Sequence, residues 1–270
     1  MPGNIHRNKE IGTYIFNTIL DYYGVYTHLE FKGSKKSTTK VTIPIRPSPN
    51  KQHFVIFWGD GFIDVIDGVL TSFIIHKYLI YRNRFNVFII GNIHNVGYEI
   101  TSPRNIITEN KTLREELLYI HRWGDITLAK DGYQFTYLRN LIITATDRPN
   151  IDKNTSMECI FMGVRTNIFI DFKNWNTKNV KNMSRAFAGF GGYIFNLDTC
   201  NVTNMNGMFE NSNITYIPFN DMKNVKEFNN IFAYIDDNNT IIEGFNNLLK
   251  QKKIHPKMYN LFINNHNPTL

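Results

Sequence analysis

A β-sandwich followed by a short solenoid of stacked repeats, with a helical end piece, is the architecture this sequence predicts. Three observations carry that expectation. Between residues 25 and 104, short apolar runs alternate with turn residues at the spacing of an all-β sandwich. From residue 175 onward a Val–Met–Phe signature returns after 22 and then 23 positions, the mark of a repeat array. After Ile241 the apolar residues fall at helical spacing.

Residues 1–24 read as an N-terminal arm or short helix, because Ile11, Tyr14, Ile15, Ile19 and Tyr22 recur near a helical period. The sandwich is expected over 25–104. There Val41, Ile43 and Ile45 alternate with polar neighbours, and Pro47 and Pro49 close the strand. Phe54, Ile56 and Trp58 alternate again and run into Gly59-Asp60-Gly61, a hairpin signal because Gly and Asp tolerate the positive dihedrals of tight turns. Phe62, Val65 and Ile66, then residues 73–75, then Phe85, Val87 and Ile89 complete the expected strands. A linker at Thr101, Ser102 and Pro103 leads to a helix expected over 113–120, opened by Thr112, Glu115 and Glu116.

The solenoid is expected over 105–240. Three segments superpose on one another: Val180, Met183 and Phe187; Val202, Met205 and Phe209; Val225, Phe228 and Phe232. Positions 0, +3 and +7 share one face of a helical turn. One such turn cannot bury its apolar side alone, so the copies are expected to stack into a continuous core. Met157 and Phe161 form a partial earlier copy. Apolar runs at 141–143, 168–170, 193–195 and 214–217 precede the copies and are expected to pair as a parallel sheet. Asn179, Asn201 and Asn224 form a column suited to turns, their amides buried against backbone groups left open by stacking. Residues 241–270, with Phe245, Leu248, Leu249, Ile254, Met258 and Leu261, read as a helical cap.

The Trp-x-x-x-x-Val-x-x-Met-x-x-x-Phe pattern at Trp175 to Phe187 resembles the BspA-like surface-protein repeat, an atypical leucine-rich repeat also called the mycoplasma lipoprotein repeat. Upstream, Trp123-Gly124-Asp125 with Phe135, Leu138 and residues 141–149 resembles the segment that opens such arrays. The resemblance spans about residues 118–234; Leu197 in place of Trp, Phe228 in place of Met and the longer third copy depart from it. Trp58-Gly59-Asp60-Gly61, His76, Tyr78 and residues 85–91 are similar to a PKD-like sandwich of immunoglobulin type. The resemblance implies a leucine-rich-repeat-like solenoid in a surface or adhesion molecule.

Hydrophobic content of 42% and aromatic content of 14% describe an ordered chain with a real core. The formal charge is +7. Lys and Arg are scattered among acids, and 36 Asn beside abundant Ile and Lys match AT-rich codon usage, so the charge does not define a nucleic-acid surface. Lys32, Lys35, Lys36 and Lys40 read as a solvated hairpin. Cys159 and Cys200 imply neither a disulfide framework nor zinc spacing. No phosphate loop, nucleophile elbow or metal-ligand spacing appears, so no catalytic, cofactor-binding or metal-binding residue is expected, and no small-molecule substrate.

The two Trp-Gly-Asp triplets, at Trp58 and Trp123, read as turns with packed indoles; a catalytic Asp60 or Asp125 would need convergent polar groups around it. His76 and His121 read as satisfied core histidines, and Asp236 to Asn239 as an exposed turn rather than a calcium loop. The most apolar stretch, 73–90, carries His76, Lys77, Arg82 and Arg84, so no membrane span is expected. Ile11 to Leu20, broken by Thr13, Asn17 and Thr18, does not read as a secretory signal. These readings predict a non-enzymatic structural protein that binds other proteins, as a minor-capsid-type component of the virion of a large AT-rich DNA virus. The alternative is a cell-surface adhesion module, exported by a non-classical route, that binds host protein or glycan.

Overall fold

A computed structural model describes residues 24–33, 38–98, 117–235, 239–256 and 259–260. Its regular structure is dominated by strands. β1 (Thr27–Lys32), β3 (Ser48–Phe57), β4 (Ile63–Leu70), β6 (Arg84–Val96), β7 (Leu117–Arg122), β8 (Ile126–Leu128) and β9 (Ile142–Ile143) form one seven-stranded sheet, in the order β4-β3-β6-β1-β7-β9, with β8 paired to β6. The strands from β4 to β7 run antiparallel to their neighbours, whereas β9 on β7 and β8 on β6 are parallel. β2 (Thr39–Thr42) and β5 (Ile75–Tyr78) form a separate antiparallel pair.

This arrangement corrects the expected fold class. A sandwich of two facing sheets confined to 25–104 is replaced by one large sheet that takes strands from both sides of position 104. Among the described residues of this part of the chain, the β2–β5 pair is the one sheet separate from it. The helix expected over 113–120 is overturned where it is described: Leu117–Arg122 is strand β7, held between β1 and β9. Its acids suggested a helix start, but pairing with β1 on one side and β9 on the other satisfies the backbone better than an isolated turn could. The alternation read at Val41, Ile43 and Ile45 puts all three into the core, beside Phe54, Ile56, Trp58, Phe85, Val87 and Ile89.

The repeat region corrects the expectation further. No helix forms at the Val–Met–Phe copies, and the leucine-rich-repeat-like solenoid with its continuous parallel sheet is not what the chain builds. Of the four apolar runs, only β10 (Phe169–Asp171) and β11 (Tyr193–Phe195) pair with each other; β9 belongs to the large sheet, and 214–217 forms no strand. Each copy is a run of consecutive turns. Cys159, Arg185, Gly207 and Asn230, two residues after the Met or Phe of each copy, are left-handed, and so are Gly163, Gly189, Asn211 and Tyr234, two after the recurring Phe; their φ angles lie between 51° and 72°. A left-handed residue at every fourth position cannot continue an α-helix.

Those turns do something a helix would not. Alternate N–H groups point out of the copy and reach the next one. Met157, Cys159, Phe161 and Gly163 donate to the carbonyls of Asn182, Ser184, Ala186 and Ala188, and the copies at Met183 and Met205 repeat the pattern onto their successors, at 2.7–3.0 Å. The remaining N–H groups close turns within the copy, as Ile160 does to Met157 and Ala186 to Met183. Inside this ladder the rings of Phe135, Phe161, Phe187, Phe209 and Phe232 stack at centroid distances of 5.6, 6.0, 5.6 and 5.2 Å.

In place of a helical cap, one described helix, α1 (Asn239–Lys250), follows the last copy. It buries Ile241, Phe245 and Leu248, with the Phe245 ring edge-on to Phe232 at 5.9 Å. The arm at 1–23, Lys35, Lys36, the 101–103 linker and the turn at 236–238 lie outside the described residues.

The large sheet and the turn ladder share one core through Trp123. Its ring meets Phe135 at 5.6 Å and Trp175 edge-on at 5.5 Å, and its carbonyl accepts from the Thr27 hydroxyl of β1 at 2.6 Å. The Asp147 carboxylate accepts the N–H groups of Trp123 and Gly124 at 2.9 and 2.8 Å. Gly124 has φ of 63°, and a Cβ there would sit 2.5 Å from the Tyr26 carbonyl carbon, so only glycine fits. A second tie is the buried guanidinium of Arg46, which donates to Asp131, to Tyr98 O at 2.8 Å and to Gly132 O at 2.6 Å.

Two outcomes test this packing. Phe187→Ala, which empties the centre of the ring column, should cost about 3–5 kcal/mol in urea unfolding, whereas Lys181→Ala on the exposed side should stay within about 0.5 kcal/mol. Burial pushes the Cys159 thiol up to about 12, with the nearby Glu158 carboxylate adding to the shift. Iodoacetamide at pH 8 should therefore leave Cys159 unmodified in the folded chain and label it on unfolding, as read by peptide mass spectrometry.

Candidate interaction surface

The strands β10 and β11 are three residues long and alternate in burial: Ile170 and Ile194 point into the core, and their neighbours point out. Because the two strands run parallel with Phe169 opposite Tyr193 and Asp171 opposite Phe195, the outward residues align into a strip. Phe169 is 63% exposed, Phe195 41% and Tyr193 40%. Their ring planes lie nearly parallel, with Phe169 stacked on Tyr193 at 5.1 Å and on Phe195 at 6.4 Å, and Phe195 on Tyr216 at 6.0 Å. Four aromatic side chains from three successive copies therefore form one surface band.

The band ends where the sheet ends, and Tyr216 is the reason. Its phenol oxygen accepts the Ile194 N–H at 3.0 Å and donates to the Ile194 carbonyl at 2.7 Å. A side chain thus occupies the edge position that a third strand would take. Backbone contact resumes at Leu197, whose N–H reaches Pro218 O at 3.2 Å. Between the two points lies a cleft of about 460 Å³, lined by residues 194–197 and 216–220, with Asn196 and Asn220 as its polar members and no ionisable group but the Tyr216 phenol. Burial raises the Tyr216 pKa, opposed by the Ile194 hydrogen bond, so the hydroxyl stays protonated and able to donate.

The residues singled out from the sequence lie inside, behind this band. Val180, Met183, Phe187, Val202, Met205, Phe209, Val225 and Phe232 are buried in the core, and Phe228 is half-buried against it. The asparagine column sits nearer the surface than expected. Asn201 and Asn224 donate their amides to Lys178 O at 2.9 Å and Cys200 O at 2.7 Å, one copy back, while Asn179 is exposed at the equivalent position. Buried Thr177 and Thr199, which sequence reasoning missed, tie copies forward through hydroxyls donated to Asp198 O at 2.8 Å and Asp221 O at 2.5 Å. Asn182 and Asn204 were missed too; each accepts the N–H two residues on, at 2.9 Å. The Thr and Asn spacings recur in register with Val and Met, and that recurrence was the available signal.

The Trp-Gly-Asp triplets are part of the framework. Asp60 accepts the Phe62 N–H at 3.1 Å and meets His76 Nε2 at 2.9 Å, while the His76 ring stacks on Trp58 at 4.4 Å. Asp125 accepts from the Asn150 amide at 2.9 Å. His121 contacts Thr144 Oγ1 at 2.8 Å and Glu30 at 3.4 Å, beside His28. Neither Asp60 nor Asp125 lines the cleft. Among the described residues, no group of three His, Cys, Asp or Glu is placed to hold a metal ion, and no helix is long and apolar enough to cross a membrane.

Tyr216→Phe should expose the edge. Loss of both hydroxyl bonds should cost about 1–2 kcal/mol, and hydrogen exchange at the Ile194 amide should accelerate while that of the buried ladder amide Phe187 does not.

Residues 155–267 match the family whose model is described as Mycoplasma protein of unknown function, DUF285. The match begins just before the copy at Met157, takes in the aromatic band and α1, and leaves out the large sheet. No curated protein and no solved structure matches the chain.

Proposed function

We propose that this chain is a non-enzymatic interaction protein whose contact surface is the aromatic band of Phe169, Tyr193, Phe195 and Tyr216. The single observation that carries the reading is that register between β10 and β11 aligns these rings into one solvent-facing row. The Val, Met and Phe columns of the ladder are turned inward, whereas here three large aromatic side chains stand 40–63% exposed in one row. Rigid exposed aromatics are favourable contact groups, because they bury much apolar area at small entropic cost. The cleft beside them adds carboxamides at its rim, so an occupant would meet both apolar and hydrogen-bonding groups.

The setting we propose is the cell surface, with a host protein or glycan as the partner. Two things support it: the resemblance to a surface-protein repeat, and the match of residues 155–267 to a mycoplasma family. The particle setting draws no support from that match.

The test is direct adhesion. Fluorescently labelled chain should bind cultured animal cells saturably, and Phe169→Ser with Phe195→Ser should reduce that binding at least about tenfold, the loss of roughly 1.4 kcal/mol of contact energy. The thermal midpoint of the variant should change little, because both residues are exposed. Equal binding by variant and parent, or no saturable binding by either, would sink the proposal.

A further inference from the structure

A second surface lies at the far end of the large sheet and has a different character. β4 is its edge strand: one side pairs with β3, and among the described residues no strand pairs with the other. Trp58 N donates to Phe62 O at 3.2 Å, so in this antiparallel pair the even-numbered residues of β4 bond to β3. The N–H and C=O groups of Ile63, Val65, Asp67 and Val69 therefore point to the free edge. The same four side chains occupy the outward face, where Val65 is 71% exposed, Ile63 53% and Val69 49%.

An open edge of this length is a template for another strand, and folded proteins usually guard it with Lys, Pro or a bulge. β4 contains neither Lys nor Pro. Its one outward charge, Asp67, is already engaged by His53 on β3 at 2.6 Å. The backbone requirement sets the occupant's chemistry, an extended strand, and the sequence of β4 suits β4 itself. Antiparallel pairing about a two-fold axis must place odd residues opposite odd residues. An axis at Asp67 would set two carboxylates face to face, and an axis at Val65 would leave Val69 beyond the pairing. An axis at Ile66 does neither. It puts Ile63 opposite Val69 of the second copy and Val65 opposite Asp67, with Ile66 meeting its own counterpart on the inner face.

We infer that two copies of this chain associate through β4, antiparallel about a two-fold axis at Ile66, so that one sheet continues through both molecules. Four facing pairs of the hydrogen-bonded kind form about eight inter-chain backbone bonds, and the exposed apolar row of each copy is covered by the other. This interface is independent of the aromatic band, which lies on the turn ladder.

Sedimentation velocity of the full chain over a concentration series tests the inference. The parent should pass from monomer to dimer with rising concentration. Val65→Pro should stay monomeric with an unchanged circular dichroism spectrum, because the N–H it removes faces the free edge, where proline is tolerated. Val65→Asp should weaken the dimer at least about tenfold by opposing Asp67 twice, and adding Asp67→Lys should restore it, since only this register sets position 65 against position 67. The doubly substituted Phe169→Ser, Phe195→Ser chain should dimerise like the parent. A parent that remains monomeric throughout, a dimer indifferent to Val65→Asp, or a Val65→Asp, Asp67→Lys chain that stays monomeric overturns the inference; if Val65→Pro fails to fold, the charge pair decides.

Discussion

The recurrence of a left-handed residue at every fourth position along each turn copy is the constraint on which the ladder depends. It divides the backbone donors into two sets, one closing turns within the copy and one reaching the next copy at 2.7–3.0 Å. Buried backbone groups must find partners, and here every second partner lies in another copy. No single copy can therefore satisfy its own backbone, and the Phe column can be buried only if the copies assemble in register. Side-chain bonds from Thr177, Thr199, Asn201 and Asn224 repeat that forward and backward linkage at the rim.

The same constraint explains where the surface features fall. A ladder is open at its sides, and the outward residues of each copy line up automatically because the inward ones do. That alignment turns single exposed aromatics at Phe169, Tyr193 and Phe195 into a band. Where the third run fails to pair as a strand, Tyr216 takes over its hydrogen bonds and leaves a cleft. The large sheet is joined to the ladder through Trp123, Asp147 and Arg46, and among the described residues its end strand β4 pairs with β3 alone.

Much of the core was legible in the sequence, because burial follows period. The alternation at Val41, Ile43 and Ile45 and the recurrence of Val, Met and Phe are properties of residue order, and these residues are core or half-buried against it. What the period could not reveal was the conformation between the marked positions. A spacing of four between Met and Phe suits a helical turn and equally suits two tandem turns; left-handed Arg185, Cys159 and Tyr234 carry no sequence mark of that state. Gly163, Gly189 and Gly207 do, and they were the local hint against a helix.

By itself, then, the sequence determined which residues turn inward and that the second half is built from copies, since both are fixed by the spacing of apolar side chains. The tertiary structure alone decided what those copies are and what they leave outside. Leu117–Arg122 became a strand because β1 and β9 offered it partners. The helical solenoid gave way to a turn ladder because inter-copy hydrogen bonds outweigh those of a short helix. The aromatic band is a product of register between different copies, and register is a relation that no single segment contains.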